Sequence, residues 1–360
     1  MTQYATELQM YVGLREIEKT TSQAAQYIDD LKSGGQLDEI NLELTISSEL
    51  KSILKDVKSF GDININTRSF TPQLKAGRKD QAQNLVPTIP TIEQIKPSML
   101  RQLTIPQDMK PFDIRACRIL PDGKYLILDS HSDKSSLLLF INVGLFMKEV
   151  MKFKGRSWDT CFIRTNTVAV TLQLQKQIAL VDVEKNKIFK SINLSHYCGS
   201  VASDGQILLV SSNHKSTIVN LNDMSYTILE GIVADRVALF KGNIYGTMYY
   251  KNKVCCYKST GEPLWTFMHD DINGAQGLTL DKNGFVYIVS MYNKSVVVVS
   301  PDGKTCKTIL SVADGSKSLY AIDINRETGI MIVSSEISVD EDGSFGSYKK
   351  QYETAFVYKI

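Results

Sequence analysis

Histidine, tryptophan and paired cysteine are scarce in this 360-residue chain: four histidines, two tryptophans, and six cysteines of which none forms a C-x-x-C pair. A zinc module needs four ligands in close pairs, and His131, His196, His214 and His269 lie at no such spacing, so no metal site or cofactor is expected. Cys117, Cys161, Cys198, Cys255, Cys256 and Cys306 read as small buried hydrophobes of a reducing, cytoplasmic compartment. No run of about 18 apolar residues occurs, so neither a transmembrane helix nor a membrane partner is expected. Residues 1–10 are polar and mixed, unlike a signal peptide. Charge of one sign is lacking too: the formal net charge is +2, with −2 before residue 99 and +4 after it. A nucleic-acid argument must therefore rest on local clustering. With 43% hydrophobic and 22% charged residues, the chain has the material for a full core.

Two periodicities divide it. Over residues 1–61 the pattern is helical. Met10, Leu14, Ile17, Thr21, Ala24, Ile28 and Leu31 form a heptad seam that ends at Gly34-Gly35. Thr21 and Ala24 bury little area, so residues 10–31 predict a weak homodimer through this coiled-coil end. A second helix is capped by Ser47 or Ser48, shows the apolar face Leu50, Ile53, Leu54 and Val57, and stops at Gly61. Residues 62–98 carry Pro72, Pro87, Pro90 and Pro97 and a basic stretch at 75–79, which makes them a linker.

Residues 99–360 switch to a period of two with regular turns. One turn register is anchored at Gly123, Asn166, Gly205, Gly242, Gly284 and Gly329, and a second at Gly144, Asn186, Asp223, Gly261 and Gly303. Two hairpin turns per repeat of about 40 residues give four strands per repeat, the arrangement of a propeller blade. The fold class is thus mainly β, a six-bladed β-propeller preceded by a short coiled-coil and helical segment. The sixth repeat stops after its third strand, at Ile360, and residues 100–105 are apolar enough to supply the missing fourth.

This order of parts (coil end, helix at 50–61, basic linker at 78–87, propeller) resembles the C-terminal part of tripartite-motif proteins with an NHL-type propeller, in particular the divergent forms found in molluscs. The resemblance implies a recognition domain that recruits ubiquitination substrates or RNA. It also implies a RING finger and B-boxes, hence ubiquitin-ligase activity, but no cysteine precedes Cys117, so no residue here is expected to be catalytic.

In such a ring the loops between the second and third strands of each blade open on one face. Each expected loop holds a lysine: Lys134, Lys176, Lys215, Lys251 with Lys253, Lys294, and Lys349 with Lys350. His131, His214, Tyr249, Tyr250, Tyr292 and Tyr348 stand beside them, and the inter-blade loops add Arg156 with Trp158, His196 with Tyr197, Arg236, and Lys317 near Tyr320. Cations interleaved with stacking platforms suit single-stranded RNA or an acidic protein segment. The long loop at 338–352 adds Phe345, Tyr348 and Tyr352 as possible anchors. The alternative is a calcium-dependent propeller hydrolase of lactonase type, with Asp113, Asp159, Asp235 and Asp323 near the channel.

Overall fold

A computed structural model of the chain describes residues 90–106, 112–131, 134–212, 214–315, 317–341 and 348–360, with backbone only at 337–341 and 348–352. The expected coiled coil, its weak dimer seam, the helix at 50–61 and most of the linker lie outside the described residues. So do the side chains of Tyr348, Lys349, Lys350 and Tyr352, and all of Phe345.

Six antiparallel four-stranded sheets form six blades. Blades 1 to 5 occupy residues 114–154, 157–193, 200–229, 236–267 and 275–310, each in simple chain order. Lettering strands A to D from the axis outward, neighbouring A strands touch around the ring. The expected turn anchors take left-handed conformations at Gly123 (φ 80°) and Gly284 (φ 90°), which glycine tolerates without strain. In two turns the left-handed position falls one residue away, at Thr165 before Asn166 and at Met224 after Asp223. Asp223 accepts the Ser225 N–H at 2.9 Å, an Asx turn that moves the tight corner.

The core comprises six clusters, one between each pair of neighbouring blades. Strand B of blade 1, Tyr125–Asp129, shows why. Tyr125 and Ile127 face blade 6, whereas Leu126 and Leu128 face blade 2. The middle strands are largely apolar on both faces, so they read as near-continuous hydrophobic runs, whereas outer D strands such as Lys187–Asn193 are polar and exposed.

Blade 6 closes the ring. Its A, B and C strands are Ile322–Asn325, Ile330–Glu341 and Tyr348–Lys359, and its D strand is Ser98–Gln102. Ser98 pairs with Lys359 and Gln102 with Phe356. The closing strand thus lies about two residues earlier than expected. The apolar Leu103 and Ile105 that suggested it turn inward instead, into the core between blades 6 and 1. Ahead of it, Ile95 is buried against blades 5 and 6, and Lys307 Nζ donates to the Glu93 carbonyl at 2.8 Å. The compact unit accordingly begins at Thr88.

Three carboxylates meet at the seam of blades 6 and 1. Glu353 accepts the Ile114 N–H, and Asp129 accepts the Asp113 N–H at 2.8 Å. Burial, reinforced by the Asp113 and Asp129 charges, pushes Glu353 from an ordinary 4.5 up to about 7. Burial also pushes Asp129 up to about 6. Both groups bind their protons more tightly when folded, so their contribution to stability is full below the ordinary carboxylate range and is lost as pH rises from about 4 to about 7. Urea unfolding at pH 5 and pH 8 is expected to show the propeller more stable at pH 5 through this seam, by on the order of 2–3 kcal/mol. Glu353→Gln keeps the Ile114 acceptor and is expected to shrink that difference by raising stability at pH 8. An unchanged pH difference in Glu353→Gln would remove the seam as its cause.

Candidate functional site: an arginine and aromatic cavity on the axis

The site begins with irregularities in the inner strands. Strand A of blade 1 is Ile114–Ile119, and its register against strand B shifts between Ile114 and Ala116, a bulge. Arg115 and Arg118, three residues apart, consequently both face the channel and line one narrow passage along the axis.

Asp159, on strand A of blade 2, anchors the passage; its side chain is 3% exposed. Its Oδ1 receives Arg118 Nη2 at 2.6 Å from blade 1. Its Oδ2 accepts the Ser200 hydroxyl at 2.6 Å and the Val201 N–H at 3.2 Å from blade 3. Arg236 Nη1, from blade 4, stands 3.7 Å from the same oxygen. Asp323 of blade 6 completes the circuit, accepting the Ile119 N–H at 2.8 Å from blade 1 and the Thr279 hydroxyl at 3.3 Å from blade 5. Burial opposes the charge on Arg118, but Asp159 and Asp323 outweigh it and hold the guanidinium above its ordinary value. Burial pushes Asp323 upward despite Arg118. Two carboxylates therefore lace all six blades.

Above this network a cavity of about 570 Å³ opens toward the B–C loops. Trp158, Tyr197, Tyr249, Tyr250 and Tyr320 form much of its wall, with Arg115, Arg236, Asp235 and His214. Arg115 stacks 5.2 Å from the Trp158 ring centroid and 5.0 Å from that of Tyr320, and pairs with Asp113. Arg236 lies 5.2 Å from the same Tyr320 ring and donates to the Trp158 carbonyl at 2.9 Å. On the wall, the Tyr249 hydroxyl donates to Tyr292 at 2.6 Å. That bond and burial push Tyr249 up to about 12, so it stays a neutral phenol at physiological pH.

Of the residues expected from sequence, Trp158, Tyr197 and Tyr250 line the cavity. Tyr292 stands at its edge, 60% exposed and 5.7 Å from Tyr249. No lysine lines it. Lys176 sits over the outer Tyr197 ring at 5.4 Å, and Lys134 borders a separate hollow on blade 1 with Asp129 and Glu149. Lys251, Lys294 and Arg156 are exposed, while Lys215 and Lys253 are half-buried. Lys176 and Lys294 close their four-residue loops with φ 54° and 50°, the place that Asn252 takes in blade 4 with φ 51°. The carboxylates of the hydrolase alternative are engaged by Arg118, Arg115 and backbone N–H groups. Asp235 is bound to the Tyr249 N–H at 2.7 Å. Among the described residues, the group with three potential metal-ligand atoms within 4.8 Å of one another is His269, Asp271 and Cys306, between blades 4 and 5 and away from the axis.

Alternation along the strand hides Arg115, because the bulge breaks it; the signal available was a pair of arginines in an otherwise apolar run, Ile114-Arg-Ala-Cys-Arg-Ile119.

No protein-family model and no curated protein sequence matches this chain. Among solved structures it is similar to streptogramin B lyase, at 10% identity and a TM-score of 0.51 over 71% of this chain and 96% of that one. At that identity the likeness shows a shared propeller fold. Among the described residues no helix is long and apolar enough to cross a membrane.

Tyr320 sits where the cavity meets the passage below, and Gly277 fixes its backbone. A Cβ on Gly277 would stand 2.8 Å from the Tyr320 carbonyl oxygen and 3.1 Å from Ile322. Gly277→Ala is expected to cost about 1–3 kcal/mol in denaturant unfolding and to shift Trp158 fluorescence as the Tyr320–Arg115 stack moves. A variant with unaltered stability and emission would show that Tyr320 is not held this way.

Proposed function

We propose that the propeller is a non-catalytic recognition module that binds an extended segment of a partner protein across its B–C loop face, with one side chain seated in the axial cavity. The composition of that wall carries the reading. Trp158, Tyr197, Tyr249, Tyr250 and Tyr320 with Arg115 and Arg236 are the residue types that dominate protein-binding hot spots. The aromatics are rigid and present large surfaces at small entropic cost. The tripartite-motif resemblance supports the same role, recruitment of a ubiquitination substrate. Ligase transfer itself needs a zinc-bound RING, and no cysteine precedes Cys117, so recruitment is the part proposed for these residues.

A second reading, single-stranded RNA, is favoured by one feature, the Lys176 ammonium above the Tyr197 ring at the rim. Among the described residues it lacks a continuous cationic track, because their loop lysines do not line the cavity.

Selection of a displayed random-peptide library on the propeller separates the two. Peptides are expected to be recovered whose affinity falls by about tenfold or more in Trp158→Ala and in Tyr250→Ala. Joint Ala replacement of Lys134, Lys215 and Lys294 is expected to change it by less than about threefold, and raising salt from about 50 to 200 mM by less than about tenfold. Tight binding of oligouridine, abolished by the lysine variant and by salt, with no cavity-dependent peptide recovered, would replace the protein reading with the RNA one.

A further inference from the structure

The floor of the cavity holds more cationic donors than the chain satisfies. Arg236 is 6% exposed, and its buried Nη2 has no hydrogen-bond partner among the described residues. Its Nη1 is committed to the Trp158 carbonyl, and Asp159, 3.7 Å away, is already shared with Arg118 and Ser200. An unmet, buried guanidinium donor carries a desolvation penalty, and a planar anion reaching the guanidinium from the cavity relieves it by forked hydrogen bonding. Arg115 lies on the same Tyr320 ring and is the more open of the two, with 24% of its side chain exposed against 7% for Arg236.

The charge of the lining sets the kind of anion. Asp235 is the carboxylate among the described lining residues, and behind the wall Asp113 pairs with Arg115 and Asp159 stands 3.7 Å from Arg236, so the cationic charge left for a ligand is small. A carboxylate balances that charge. A phosphate, at about −1.5 to −2, exceeds it, and no lysine among the described residues lines the cavity to make up the difference. The aromatic wall suits a ring or apolar stem attached to the carboxylate.

We infer that the cavity is a carboxylate site, in which Arg115 makes the first contact and Arg236 the deeper one. Its occupant is an acidic side chain or chain terminus next to an aromatic or apolar group of the partner segment. The inference rests on the recognition reading above and names the chemistry that the cavity selects.

Phenylacetate and its neutral isostere phenylacetamide test it directly on the full chain, read by Trp158 emission in a Trp265→Phe background. Phenylacetate is expected to bind with a dissociation constant of about 1–10 mM, at least about tenfold tighter than phenylacetamide. Arg115→Met and Arg236→Met are each expected to erase that preference while leaving weak binding of both compounds. Should the buried Arg236→Met fail to fold, ¹⁵N-detected spectra of arginine side chains in the unaltered protein give the same answer: the Arg236 and Arg115 resonances shift with phenylacetate and stay in place with phenylacetamide. Equal binding of acid and amide overturns the carboxylate site and leaves the aromatic cavity as a binding surface. Binding of neither compound overturns the carboxylate site outright, while cavity-dependent peptides from the library would still uphold the recognition reading. A preference for the acid that survives both arginine variants places the anion elsewhere and overturns the assignment.

Discussion

The Arg118–Asp159 ion pair on the axis is the contact on which the remaining geometry depends. A propeller has no single core; its blades are joined by six separate apolar interfaces, each of which constrains only two neighbours. Asp159 reaches blades 1, 3 and 4 from blade 2, and Asp323 reaches blades 1 and 5 from blade 6. Buried charge is costly unless fully partnered, and here the partners come from different blades, so the cost of leaving one unpaired enforces the arrangement of all six. The same network places Arg236 and, through the bulge next to Arg118, Arg115 beneath the cavity. Structure and recognition thus draw on one set of arginines.

Ring closure is the complementary constraint at the periphery. An open ring would leave two unpaired strand edges. Residues 98–102 cover the C-terminal strand and remove that liability, at the place where Glu353, Asp129 and Asp113 crowd together. The last blade is assembled from both ends of the described chain, and its seam holds two carboxylates, Glu353 and Asp129, that burial pushes upward.

The fold was legible because turn chemistry repeats. Gly123, Gly205, Gly284 and their counterparts occupy left-handed corners that few residues tolerate, so they mark blade after blade. Boundaries were less legible where one residue type serves two ends: Leu103 and Ile105 look like strand residues but are core plugs. The site was legible in part. Aromatic residues at the tops of the inner strands and loops, Trp158, Tyr197 and Tyr250, could be placed by counting blades. The described lysines share the loops but do not line the cavity: Lys176 lies over the Tyr197 ring at its rim and Lys294 is exposed. Arg115 was hidden because a bulge shifts its side chain out of the alternation that a sequence reading assumes.

A double-mutant cycle on the axis tests the central claim most directly. In denaturant unfolding, Asp159→Asn is expected to cost about 3–5 kcal/mol by leaving Arg118 charged and unpaired, and adding Arg118→Met to it should restore at least about 1 kcal/mol. Strictly additive losses, or an Asp159→Asn cost below about 1 kcal/mol, would show that the blades hold their places without the axial pair.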